Sequence, residues 1–180
     1  MIRHKSLTSA AVLFAVLSCL SLSVTAQSAD AETLYFKVAE WPGEVHWDDS
    51  YVLPLSDPAD IAHAEDLINL GPRGAGGTIA VAYIAPGSDG INRDFNQKGD
   101  PEWSWHVTEF IGFADVTIEI YDGWPSWVED DVSFWMGNTG GVIGFWRYTV
   151  VEDVTHKVPE PASLVLLAVG GLALLRRKRR

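Results

Sequence analysis

Two apolar segments, residues 10–22 and 162–175, stand near the ends of this 180-residue chain and leave only the stretch between them to fold in water. Each has cations on its outer side. Arg3, His4 and Lys5 precede the first; Arg176, Arg177, Lys178, Arg179 and Arg180 follow the second. At the first end a basic start, an apolar run and the small residues Val24 and Ala26 form the pattern of a secretory signal peptide cut before Gln27, with Ala29 as an alternative end. Cys19 follows Val16-Leu17-Ser18. Leu17 stands where a lipoprotein site would carry a small residue, so Cys19 reads as part of the apolar run.

The second end differs in length and in what precedes it. Fourteen helical residues, 162–175, reach about 21 Å at about 1.5 Å each, short of a hydrocarbon core of about 30 Å. Flanking Arg and Lys can snorkel over part of the deficit. Five cations after the helix place the tail in the cytoplasm and the body outside. Pro159 and Pro161 disfavour helix just before them, and Pro161 suits a first helical turn, which leaves Val158, Pro159 and Glu160 extended and open to a protease. This Pro-Glu-Pro motif, the short helix at 164–175 and the basic tail at 176–180 resemble the PEP-CTERM sorting signal of Gram-negative envelope proteins, over about 23 residues. The resemblance implies cleavage by an exosortase, a membrane transpeptidase-like enzyme, with the tail as a transient anchor.

Between signal peptide (1–26) and sorting signal (158–180) lies one body, 27–157, long enough for a real core. It carries six cations against 23 carboxylates, a formal charge of −17 where the whole chain carries −11. Such a surface repels phosphate backbones, which argues against nucleic acid as a partner. The body has no cysteine and all eight tryptophans. An exported domain without disulfides must stand on packing alone, or on a metal.

Alternation predicts strands over 34–38, 51–55, 103–111 and 114–121, the last with Val116, Ile118 and Ile120 inward. The apolar run 78–85 predicts a central strand covered on both faces, and 142–151 a last strand. Asp57 and Pro58 start a helix whose stripe is Ile61, Ala64, Leu67 and Ile68; Gly71-Pro72 ends it before a glycine-rich loop at 72–77. Helical spacing of Trp124, Val128, Val132 and Trp135 predicts a second helix over 124–136. The order β-β-α-β-β-β-α-β implies an α+β domain, a mostly antiparallel sheet of about six strands with two helices on one face.

Leu55-Ser56-Asp57-Pro58 with Ile61 and Ala64, then Trp103-Ser104-Trp105-His106, Phe113, the run 116–122 and Val128-Glu129 are similar to a small secreted domain also found at the N-terminus of some calmodulin-binding proteins. The resemblance covers about residues 51–151 and implies a single compact exported domain. It supplies no catalytic residue. This chain departs from the pattern in lacking its cysteines, notably after the strand expected to end at Ile120.

Three groups of residues offer chemistry. Trp103, Trp105 and His106 form one distinctive string, readable as an aromatic platform for sugar rings or as core, since both indoles fall on one strand face with Val107. Trp41, Trp47 and Trp124 flank chain breaks and suit exposed stacking better. Asp89, Asn92 and Asp94 offer calcium oxygen ligands at plausible spacing, without the order of an EF-hand; a turn rich in Asp, Asn and Gly is the simpler reading. The pairs and runs Asp48-Asp49 and 129–131 read as solvated acid faces.

Catalysis would need His46 or His106 beside a carboxylate, and no nucleophile elbow, zinc-protease motif or P-loop is present. No catalytic residue is therefore assigned. The expected product is an envelope or extracellular-matrix protein of a Gram-negative bacterium, a binding or structural module of the exopolysaccharide layer. Its partners in transit are the Sec translocon, exosortase and the membrane. The alternatives are a small hydrolase of matrix polymers and a calcium-dependent adhesion module.

Overall fold

A computed structural model describes residues 32–40, 49–75 and 77–158. The expected signal peptide with Val24 and Ala26, the residues Trp41, His46 and Trp47, and the sorting segment from Pro159 onward lie outside the described residues. Among the described residues no helix is long and apolar enough to cross a membrane.

The chain is α+β, but its six strands form two sheets instead of one. Strands β1 (Leu34–Glu40) and β2 (Ser50–Leu55) lead into helix α1 (Pro58–Gly74). Strands β3 (Ile79–Pro86) and β4 (Trp105–Ala114) follow, then helices α2 (Pro125–Asp130) and α3 (Val132–Thr139), and finally β5 (Val142–Ile143) and β6 (Tyr148–Asp153). One antiparallel sheet has the order β2-β1-β6, the other β4-β3-β5. The split has a simple cause. β1 and β3 each hold a partner on both edges, so neither can accept the other. Helices also divide between the sheets, α1 against β6 and α3 against β5, and do not share one face.

Both sheets feed one core. Phe36, Val38, Tyr51 and Leu53 come from the first; Ala82, Ile84, Trp105 and Ile143 come from the second. Rings join them, with Tyr51 6.0 Å from Trp105 and 5.8 Å, edge-on, from Phe145. Each such side chain contributes about 1.5–3 kcal/mol by leaving water, the main support of a body without disulfides. The loop between β3 and β4 adds a polar joint. Asn92 is buried; its Oδ1 accepts the Val52 N–H at 2.9 Å, and its Nδ2 donates to the Trp105 carbonyl at 2.8 Å. One side-chain amide thus bridges the backbones of β2 and β4.

Local chemistry explains where the elements start and stop. Asp57 accepts from the Ala59 N–H at 2.8 Å and caps α1, with Pro58 in its first turn. Gly71, at φ 70°, breaks the helix as expected, yet a further turn follows to Gly74, so 72–74 is not the loop that composition suggested. The expected helix over 124–136 is two helices. Asp131 turns out of helical geometry and accepts the Phe134 N–H at 2.9 Å, capping α3 at the expense of continuity.

One expected strand is absent and another is divided. Residues 115–118 pair with no strand and lead into a 3₁₀ turn, Glu119–Tyr121. Val116, Ile118 and Ile120, expected inward, are 72, 59 and 52 % exposed. β3 already has β4 and β5 on its two edges, so this segment finds no ladder to join. The expected strand over 142–151 is broken at 144–147, where the chain leaves β3 and crosses to β1. β3 itself is central but not covered on both faces, since Tyr83 is exposed.

The body is held closed up to its last described residue. The Val154 N–H donates to the Tyr35 carbonyl at 2.8 Å, and a 3₁₀ turn, Thr155–Lys157, follows. Lys37 and Lys157 both engage Glu152, at 2.9 and 2.5 Å. Partial burial opposes ionisation of Glu152, but the bonds from Lys157 and Lys37 prevail and lower its pKa.

The Asn92 joint makes a direct prediction. Asn92→Ala leaves one N–H and one carbonyl buried and unpaired and should lower stability by about 2–4 kcal/mol. The exposed Asn96, which donates to the Asp49 carbonyl at 2.9 Å, should cost under about 1.5 kcal/mol when changed to Ala. Urea midpoints of the two variants check the contrast.

Candidate functional site

The crossover at 144–147 builds the most distinctive surface of the molecule. Phe145 turns into the core and Trp146 out of it. Arg147 adopts φ 70°, a left-handed conformation that costs a non-glycine residue roughly 1–2 kcal/mol. Asp122 fixes the turn from the side: its Oδ1 accepts the Trp146 N–H at 2.7 Å and the Gly123 N–H at 2.9 Å. Thr117 fixes the ring, accepting from Trp146 Nε1 at 3.0 Å while donating to the Gly144 carbonyl at 2.7 Å. The segment that failed as a strand therefore serves as a strut under Trp146.

Two more indoles come from the start of α2. Trp124 and Trp127 are three residues apart and lie side by side, centroids 4.8 Å apart and tilted by 35°. Trp127 meets the buried Trp135 edge-on at 5.6 Å. Gly123 permits this approach, because a Cβ there would stand 2.9 Å from the Trp135 ring and 3.0 Å from that of Trp127. Trp124, Trp127 and Trp146 line a cleft of about 440 Å³ with Glu40, Glu119, Asp122, Arg147 and Tyr148. Trp127 and Trp146 are 41 and 44 % exposed. Arg147 faces Glu40 at 4.0 Å.

The floor of the cleft is a buried polar network. The Tyr148 hydroxyl donates to Asp49 Oδ1, and Asp49 Oδ2 accepts the Ser126 N–H at 2.8 Å. Asp49 thereby pins the first turn of α2, which carries Trp127; it is buried, where a solvated acid was expected. Burial, and then Asp49, push the Tyr148 phenol far above its usual pKa, so it stays neutral. Asp94 lies next to this network. Its Oδ1 accepts from the Asn96 N–H at 2.8 Å and Ser50 Oγ at 3.1 Å, while Oδ2 is buried without a partner.

Residues 32–157 match the family model described as the BP-74 N-terminal domain. The chain belongs to the BP-74 N-terminal domain family. The match spans the whole stretch on which the sequence resemblance was read, and the described fold is therefore that of this BP-74 domain. Residues 157–180 match the PEP-CTERM protein-sorting motif, which marks the chain as an exosortase-processed protein exported to the bacterial envelope or surface. No curated protein and no solved structure matches the chain.

Of the candidate ligand-binding residues singled out in the sequence that lie among the described residues, only Trp124 lines the cleft. Trp103 and Trp105 are buried, their rings stacked at 6.3 Å, and Trp103 Nε1 donates to the Ser50 carbonyl at 2.9 Å. Their faces meet protein, which rules out an exposed platform. His106 donates from Nδ1 to the Gly87 carbonyl at 2.7 Å, and the His63 ring packs on Phe113 at 4.6 Å. Neither histidine lines the cleft. Asp89 accepts the N–H groups of Ile91 and Asn92, at 2.9 and 2.7 Å, and orders its own turn. Asn92 spends its amide on the backbones of β2 and β4, and Asp94 spends Oδ1 on Ser50 and Asn96. Among the described residues no three His, Cys, Asp or Glu side chains gather to hold a metal ion.

Sequence reasoning missed Trp127, Trp146, Glu119, Asp122, Glu40 and Arg147. One signal was available for the first: Trp124 and Trp127 stand a helical turn apart directly after the Asp122-Gly123 break. Trp146 was hidden inside an apparent strand.

Two outcomes test this geometry. Gly123→Ala overpacks the Trp135 contact and should destabilise by about 1–3 kcal/mol, read by denaturant unfolding. Asp94 gives a pH test. Burial raises its pKa, against the bonds from Asn96 and Ser50 and with help from Asp49. The native state then holds this proton to higher pH than the unfolded chain, so this contribution to stability falls as pH rises above about 4. Asp94→Asn cannot lose that proton. Its melting temperature should gain on the parent's between pH 4 and pH 7, whereas a constant difference contradicts the assignment.

Proposed function

We propose that the exported BP-74 domain is a glycan-binding module of the exopolysaccharide layer of a Gram-negative bacterium, reached through the Sec translocon, and that the cleft at the crossover is its binding surface. One observation carries the reading: three indoles gather over one cleft, two of them more than 40 % exposed, with carboxylates at the rim. Large apolar faces left in water on an otherwise acidic surface call for a ligand. Sugar rings present flat C–H faces that stack on indoles, and their hydroxyls donate to carboxylates. Turn, strut and buried acid hold the platform rigid before any ligand arrives, which limits the ordering cost of binding.

The hydrolytic reading has no such support among the described residues: His106 donates to a backbone carbonyl away from the cleft, and His46 lies outside those residues. Affinity electrophoresis of the exported protein through gels containing bacterial exopolysaccharides tests the binding reading. Trp146→Ala and Trp127→Ala should each weaken retention about tenfold, equivalent to about 1.4 kcal/mol. Melting curves confirm that each variant is folded. Retention that ignores both substitutions, or no retention of the parent on any polysaccharide, contradicts the proposal.

A further inference from the structure

The charge around the indoles points to a particular sugar. We propose that the cleft selects glycans bearing free amines, polymers of hexosamine whose N-acetyl groups have been removed, over neutral and uronate polymers. This rests on the glycan reading of the same cleft and names its ligand class.

Three carboxylates line the cleft, Glu40, Glu119 and Asp122, against one guanidinium, Arg147. Arg147 pairs with Glu40, at 4.0 Å. Glu119 and Asp122 remain as the acid of the rim. Three further cations have partners outside the cleft lining: Lys37 and Lys157 engage Glu152, and Arg93 engages Glu102 at 3.4 Å. Asp122 spends Oδ1 on two backbone N–H groups, which leaves its second oxygen for a ligand.

An indole face is itself electron-rich and attracts an ammonium group. In a hexosamine the amine projects from the edge of the ring, so one unit can lay its face on Trp146 or Trp127 while its ammonium meets a rim carboxylate. An N-acetyl group removes that charge. A uronate brings a like charge against the rim, a repulsion that excludes it. The body's formal charge of −17 raises the local concentration of a polycation and repels a polyanion before contact.

Titration calorimetry of the exported protein tests the proposal with four probes of equal length: glucosamine hexamer, N-acetylglucosamine hexamer, a hexameric uronate and hexalysine. The glucosamine hexamer should bind at least tenfold more tightly than its N-acetylated form, and the uronate should not bind. Glu119→Gln should reduce that preference at least threefold and leave the N-acetylated Kd unchanged. Asp66→Asn, the same charge change on the exposed face of α1, should leave the preference intact.

Equal or tighter binding of the N-acetylated hexamer, still lost in Trp146→Ala, overturns the amine proposal and leaves the glycan reading standing. Hexalysine binding as well as glucosamine hexamer, or Asp66→Asn acting as strongly as Glu119→Gln, reduces the effect to bulk charge and also overturns it. Binding of no sugar in a Trp146-dependent manner overturns both readings.

Discussion

The chain segment 144–147 must leave one sheet and enter the other, and the surface chemistry of the molecule follows from that step. β1 and β3 each lack a second partner until the end of the chain, and β5 and β6 supply both. A two-residue β5 and a six-residue β6 are what remain once the crossing has been made. The turn sends Phe145 inward and Trp146 outward, and forces Arg147 into a left-handed conformation. Strain at a surface residue persists only where its surroundings over-determine it. Here Asp122 and Thr117 hold one side of the turn, and the ring of Tyr148 anchors the other.

A second constraint is the absence of disulfides in the body. Polar groups do part of the joining instead, in places where a secreted domain of this size often carries a covalent bridge. Asn92 links β2 to β4, Trp103 Nε1 reaches the Ser50 carbonyl, and Asp49 ties β6 to α2. These bonds matter less for net energy than for specificity, because any alternative packing would leave buried donors and acceptors unpaired. The loop before β4 is thus a structural part, although its composition reads as an exposed turn.

Much of the fold was legible where the signal is local. The Asp57-Pro58 cap, the alternation in β1 and the apolar run of β3 depend on neighbours in sequence, and the structure agrees. Trp103 and Trp105 could be read as core because alternation puts both on one side with Val107, although β4 begins only at Trp105. The failures are of another kind. Val116, Ile118 and Ile120 alternate as cleanly as any strand, yet alternation does not say whether a sheet edge is free. Residues 142–151 read as one strand because nothing local marks a crossing except Gly144, whose added Cβ would stand 2.8 Å from Thr117. The burial of Asp49 depends on Tyr148, 99 residues away. The cleft was therefore only partly visible: its indoles belong to two distant segments brought together by topology.

Family and sorting motif agree with an exported domain, and the preformed cleft is its proposed binding surface. The most direct measurement follows the indole N–H resonances of the exported, isotope-labelled protein by NMR during titration with a hexosamine oligomer. Signals of Trp124, Trp127 and Trp146 should move together and saturate, while those of the buried Trp103, Trp105 and Trp135 stay nearly still. Binding that leaves the three cleft indoles unmoved would contradict the account.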